Sequence, residues 1–142
     1  MRIRLLGGFR VSVGERSIGE ERWRLKKAAS LVKLLALEGS HRIHRERLMD
    51  LLWPALDAKA AANNLHRTLH FARRTLESDA ASAYPYLRLR EDLLALCPET
   101  PLWVDIESFE MAARAARNAR DPAAYRAAIE LYAGGALAAG SL

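Results

Sequence analysis

Hydrophobic positions change their period twice along the chain. Over the first twenty residues they alternate with polar ones: Ile3 and Leu5, then Phe9, Val11 and Val13, then Ile18. Gly7-Gly8 and Gly14-Glu15 interrupt the runs, which predicts two or three short antiparallel strands. From Trp23 to Glu38 the spacing becomes helical. Ala28, Leu31, Val32 and Leu35 fall at i, i+3, i+4 and i+7, and Gly39 marks the stop. The stretch HRIHR, 41–45, is too short for more than a connector or one strand rung. A second helix is expected from Arg45 to Trp53, with Leu48, Leu51 and Leu52 inward and Pro54 closing it. Asp57 is the expected N-cap of a third helix reaching about Glu77. SDAASA then reads as a small-residue loop, and YLRLREDLLALC, 86–97, as a hairpin turning at Glu91-Asp92.

Beyond Pro98 the texture shifts. PETPLW, with two prolines, reads as a linker, and two alanine-rich helices follow over 105–119 and 122–133. They are split at Asp121-Pro122, where proline suits a first helical turn, and they end at Gly134-Gly135. Two such helices bury little surface alone, yet they keep an apolar row of Ile106, Phe109, Ala113 and Ala116. That row needs a partner and is expected to dock on the first part of the chain. The expected domains are 1–97 and 98–142.

The third helix has an unusual division of faces. Leu65, Leu69, Ala72 and Leu76 form a single apolar stripe, and Asn63, Arg67, His70 and Arg74 share the same spacing on the opposite side. From 58 to 76 there is no acidic residue, while Lys59, Arg67, Arg73 and Arg74 are basic. A solvated helix face usually mixes both signs. Arg and Asn, in contrast, carry the forked donors and acceptors that match guanine and adenine edges in the major groove.

Charge strengthens that picture. The formal net charge is +5, but residues 1–97 hold 18 Lys/Arg against 11 Asp/Glu, a net of +7, while 98–142 hold 4 against 6. A basic first part suits a polyanion, and the mildly acidic second part a different task. Cys97 is the one cysteine, which excludes an internal disulfide and points to a reducing compartment. No apolar run approaches the roughly 20 residues of a membrane span. A cytoplasmic protein without membrane contact is expected.

Other chemistry finds little support. His41-x2-His44 and His66-x3-His70 have ligand-like spacings, but one thiol and no carboxylate cluster accompany them, so no metal is expected. Trp23, Trp53 and Trp103 read as packing residues; Phe71, off the apolar stripe, is left with two roles, contact with a thymine methyl or packing beneath the tail helices. There is no phosphate loop and no serine with a base in a motif, so neither an enzyme nor a cofactor is expected.

Helix, tight connection and second helix with a polar outer face, followed by a hairpin bearing Arg88 and Arg90, is the winged helix-turn-helix order. The pieces LLGGFRVSVGERSI, WRLKKAASLVKLLAL, HRIHRERLMDLLWP, AANNLHRTLHFARRTL and YLRLR occur in the order of the OmpR/PhoB-type DNA-binding domain. More narrowly, the chain resembles the bacterial antibiotic-regulatory-protein class of transcriptional activators. LWVDIESFE to DPAAYRAAIELYAGG is similar to the opening helices of that class's bacterial transcriptional activator domain, a tetratricopeptide-like array. The resemblance implies an α+β fold: an N-terminal antiparallel sheet, a winged helix-turn-helix with a C-terminal hairpin wing, then a helical segment that is incomplete here.

It further implies a sequence-specific regulator of transcription, an activator, bound to double-stranded DNA at direct repeats as tandem subunits. The helix around 58–77 would enter the major groove. By position Asn63, Arg67, Thr68, His70 and Arg74 fall on the recognition helix. Asn64 and Arg73 on that helix, His44 and Arg45 before the second helix, and Arg88 and Arg90 on the wing complete the expected DNA contacts. Pro54, Ala55, Asp57 and Lys59 fall on the loop that contacts RNA polymerase in relatives. The phospho-receiver of two-component relatives is absent from the chain. The rival expectation is a protein-interaction module that uses the same scaffold without DNA.

Overall fold

A computed structural model describes residues 1–77, 86–119 and 122–133. The expected loop over 78–83 and the Gly134-Gly135 stop lie outside them. Among the described residues, five α-helices and two small sheets make the fold α+β.

The alternating start becomes three strands, β1 (Arg2–Arg4), β2 (Arg10–Val13) and β3 (Arg16–Gly19), joined as an antiparallel meander. Gly14, at φ +58°, makes the two-residue turn between β2 and β3 in a backbone region that costs glycine nothing. Helix α1 covers Lys26–Leu37, and β4 (Arg42–His44) is the single rung that HRIHR allowed. Helix α2 covers Arg45–Leu52 and α3 covers Ala58–Leu76. Strands β5 (Leu87–Arg90) and β6 (Leu93–Leu96) form the hairpin, and β4 pairs with β6 on its other side. Strand β7 is only Trp103–Val104; α4 (Asp105–Ala119) and α5 (Pro122–Ala133) follow.

Contacts divide the chain into two compact units. One joins Met1–Glu20 to the residues from Leu102 on, and the other is Glu21–Pro101. The expected cut at 97/98 therefore differs from this grouping, in which α4 packs on β1 and β7, and α5 packs on α4. The reason is a pairing across the whole chain. Strand β7 runs parallel to β1, with Arg2 opposite Trp103 and Ile3 opposite Val104, so the sheet order is β3-β2-β1-β7 and not wholly antiparallel. PETPLW is accordingly a linker only up to its last residue.

Asp105, the first residue of α4, is 6% exposed and locks this arrangement. Its Oδ1 and Oδ2 accept from the Leu5 amide at 2.9 and 3.1 Å, and Oδ2 accepts from Leu6 at 3.0 Å. The Arg2 guanidinium lies 4.3 Å from the centre of the Trp103 ring on the same edge. Ile3, Leu5, Phe9, Val11, Ile18, Val104, Ala116 and Ala128 are buried in this unit. Of the apolar row on α4, Ala116 is buried and Ile106, Phe109 and Ala113 are half-buried.

In the Glu21–Pro101 unit, α1 packs on α3, α2 and β6, and α2 on α3 and β4. Ala28, Leu31, Val32 and Leu35 of α1 are buried, with Leu48, Leu52, Leu87, Leu94 and Leu96.

Asp105→Ala would leave two buried amides without an acceptor, at about 1–3 kcal/mol each. It is expected to lower unfolding stability by roughly 2–5 kcal/mol in denaturant titration, with Asp105→Asn recovering part of the loss through its one remaining acceptor oxygen. Wild-type stability in Asp105→Ala would show that the carboxylate does not hold β1 to α4.

Candidate nucleic-acid interface

Helix α3 is built so that one face is sealed and the other is bare. Asp57 caps it, Oδ1 accepting from the Ala60 amide at 2.8 Å. Leu65, Leu69, Ala72 and Leu76 are each 2% exposed or less. Asn63, His66, Arg67, His70 and Arg74 are all exposed. Along 19 residues that outer face carries no carboxylate, so nothing on it neutralises the arginines.

Phe71 is half-buried between two cations. The guanidinium carbons of Arg24 and Arg67 lie 5.8 and 5.9 Å from its ring centre, within the outer range of cation–π attraction. The His70 ring meets it edge-on at 5.8 Å. Phe71 thus steadies Arg67 on the polar face, and Arg24 joins the surface beside it. The sequence pattern gave Arg24 no part: it fell within the stretch 23–38 read as helical but off its apolar row, whereas α1 starts only at Lys26 and leaves Arg24 ahead of it.

Several expected contact residues have other duties. Thr68 is 3% exposed and does not belong to the polar face; three residues after Leu65, it lies at the edge of the buried stripe. Asn64 is half-buried on the same flank. Arg73 Nε donates to the Leu87 carbonyl at 3.1 Å, tying α3 to the hairpin. His44 is exposed and caps α2, its Nδ1 accepting from the Glu46 amide at 3.3 Å. Arg45 lies 3.6 Å from the Asp92 carboxylate, and its amide donates to the Asp92 carbonyl at 2.7 Å. Of the hairpin arginines, Arg88 is paired with Glu99 at 3.1 Å, while Arg90 sits exposed beside the turn.

Pro54, Ala55 and Asp57 lie exposed in the connection between α2 and α3, and Lys59 is exposed in the first turn of α3. Leu51 and Leu56 beside them are 50% and 42% exposed. Trp53, expected in the core, is half-buried where α2 ends. Among the described residues no three His, Cys, Asp or Glu side chains gather as a metal site, and no helix is long and apolar enough to cross a membrane. Burial pushes the Cys97 thiol above its usual range.

No protein-family model matches the chain, and neither a curated protein nor a solved structure matches it.

The Arg88–Glu99 pair gives a direct titration. The hydrogen bond from Arg88, then its charge and that of Arg90, hold the Glu99 carboxyl below the usual carboxylate range. A depressed folded-state value means that the contribution is present above the unfolded value and lost as pH falls through the folded one. By NMR, Glu99 is expected to titrate below an ordinary glutamate, and Arg88→Ala should return it to the normal range. An unchanged midpoint in that variant would show that the pair does not form in solution.

Proposed function

We propose that the chain is a DNA-binding regulator of transcription. In this reading α2 and α3 act as a helix-turn-helix, α3 enters the major groove of double-stranded DNA, and β5–β6 serves as the wing of an OmpR/PhoB-type winged helix. The observation that carries the proposal is the exposed row Asn63, Arg67, His70, Arg74, free of carboxylates and opposite a fully sealed seam. Two further features support it: the α2–α3 packing across a short connection, and a hairpin directly afterwards with an exposed arginine at its turn.

The exposed Pro54–Lys59 segment, with exposed Leu56 within it and exposed Leu51 just before it, supports contact with a protein such as RNA polymerase. The close packing of α4 on α5 suits the first pair of a helical, tetratricopeptide-like activator segment. Tandem binding at direct repeats follows from the family resemblance alone. A scaffold that only binds proteins would not require the acid-free face.

Members of the polar row should differ in role. In helix-turn-helix proteins the N-terminal part of the recognition helix lies deepest in the groove. Asn63 and Arg67 are therefore the base readers and Arg74 a phosphate contact. A bidentate base contact is worth about 1–3 kcal/mol of discrimination, whereas a lost phosphate contact weakens all sequences alike. Arg67→Ala should narrow the affinity gap between selected and random DNA; Arg74→Ala should weaken both and keep the gap. Log affinity should fall with log salt by about 0.9 per neutralised phosphate, over roughly four to six contacts. Stability should change by no more than roughly 0.5 kcal/mol in either variant, as at ordinary surface sites. Salt-independent affinity, or an Arg67→Ala variant with unaltered binding, would leave α3 with a merely solvated face.

A further inference from the structure

A pocket of about 230 Å³ opens in the Glu21–Pro101 unit where the start of α1, the end of α2 and one flank of α3 meet. Lys26, Lys27, Trp53, Asn64, Arg67 and Thr68 line it, with Leu25 at the helix start. Three of these side chains are cationic and none is acidic. Lys27 is fixed at the edge, its Nζ donating to the Leu52 carbonyl at 2.8 Å. Leu25, at the N-cap of α1, supplies no side-chain acceptor; its carbonyl takes the Ala28 amide at 3.0 Å, which leaves the Lys26 and Lys27 amides open to an anion.

Thr68 gives an independent sign. It is 3% exposed and lines the pocket, yet its hydroxyl has no hydrogen-bond partner among the described residues. Thr75 on the same helix behaves differently, its hydroxyl donating to the Phe71 carbonyl at 2.9 Å. A hydroxyl that no protein group engages, on a residue otherwise packed away and facing the pocket, is a donor available to an acceptor brought from outside.

We propose that this pocket is a seat for a single phosphate group. The donors come from two elements: two ammonium groups and the Lys26 and Lys27 amides at the start of α1, and the guanidinium, amide and hydroxyl of Arg67, Asn64 and Thr68 on α3. That set suits a compact oxyanion with acceptors on all sides. The volume is below the roughly 300–1,000 Å³ of drug-sized ligand sites, which fits one phosphate and a few attached atoms. Leu25 and Trp53 provide apolar contact for the carbon side of an ester. The phosphate comes either from a DNA backbone or from a free phosphorylated small molecule. Only the first source rests on the DNA-binding reading. Because Arg67 is common to the pocket and the polar row, a free phosphate would compete with DNA.

The test uses the full chain and inorganic phosphate, with chloride at equal ionic strength as reference, followed by amide NMR shifts. Saturable shifts at Lys26, Lys27 and Thr68 are expected, weakened about tenfold or more in Thr68→Val, which loses one hydrogen bond to a charged group. Thr68→Val removes an unbonded hydroxyl, so its melting temperature should be equal or higher, separating binding from folding. Lys26→Ala, at an exposed position, should weaken phosphate in the same way. Shifts that follow ionic strength alone, or equal affinity in both variants, overturn the proposal. Single methylphosphonate substitutions along a DNA duplex then assign the source. A position that matters to the wild type but not to Thr68→Val supports the seat with a backbone phosphate in it. Phosphate binding with no such position supports it with a free ligand. A chain that binds phosphate but no DNA would refute the regulator reading and leave the seat standing.

Discussion

What α3 offers to solvent is set by the seam that it hides. Leu65, Leu69, Ala72 and Leu76 fix the rotation of the helix about its axis, because turning it by one residue would expose leucine and bury arginine. Each leucine in such a seam holds about 2–5 kcal/mol against truncation. This rotational lock places Asn63, Arg67, His70 and Arg74 outward without any polar contact of their own. The ends are fastened separately, by the Asp57 cap at the start and by Arg73 on the Leu87 carbonyl towards the end. The row is therefore rigid for reasons that leave its donors unused.

The hairpin is tied to the helices in a comparable way. Glu91 and Asp92 both have positive φ, 51° and 66°, in a two-residue turn where Asn-Gly would sit more easily. Such a conformation costs non-glycine residues of order 1–3 kcal/mol each. It persists because the Asp92 carbonyl accepts the Arg45 amide and its carboxylate faces the Arg45 guanidinium. The start of α2 thus sets where the turn sits, and the neighbouring Arg90 is carried with it. His44, capping the same helix start, belongs to this framework as much as to any surface.

Most elements were legible from local pattern, because their causes are local. The period of 3.6 gave α1, α2 and α3, Asp57 and Pro122 marked helix starts, and YLRLREDLLALC gave the hairpin within a residue at each end. The domain division was not legible. It depends on two residues of β7 pairing with β1 across about a hundred positions, and on one aspartate whose partners are backbone amides. Neither leaves a periodic trace. Thr68 shows a finer limit. On a helix at 100° per residue it lies about 60° from Leu65, at the margin between seam and face. Position on a recognition helix assigns it to the surface; only the packing of α1 and α2 on that flank decides that it is covered.

The last contrast is between two arginines. Arg88 is held by a carboxylate, at 3.1 Å from Glu99, and its charge is largely spent in that pair. Arg67 is steadied instead by the face of Phe71, with Arg24 against the same ring. A guanidinium has five donors, and an aromatic ring orients it without occupying the fork that recognises phosphates or bases. An ion pair would have fixed Arg67 more tightly and removed the property that makes it useful. The absence of acidic residues along α3 and the presence of Phe71 between two arginines are thus one design choice seen twice: order is supplied by apolar contact so that charge can remain available.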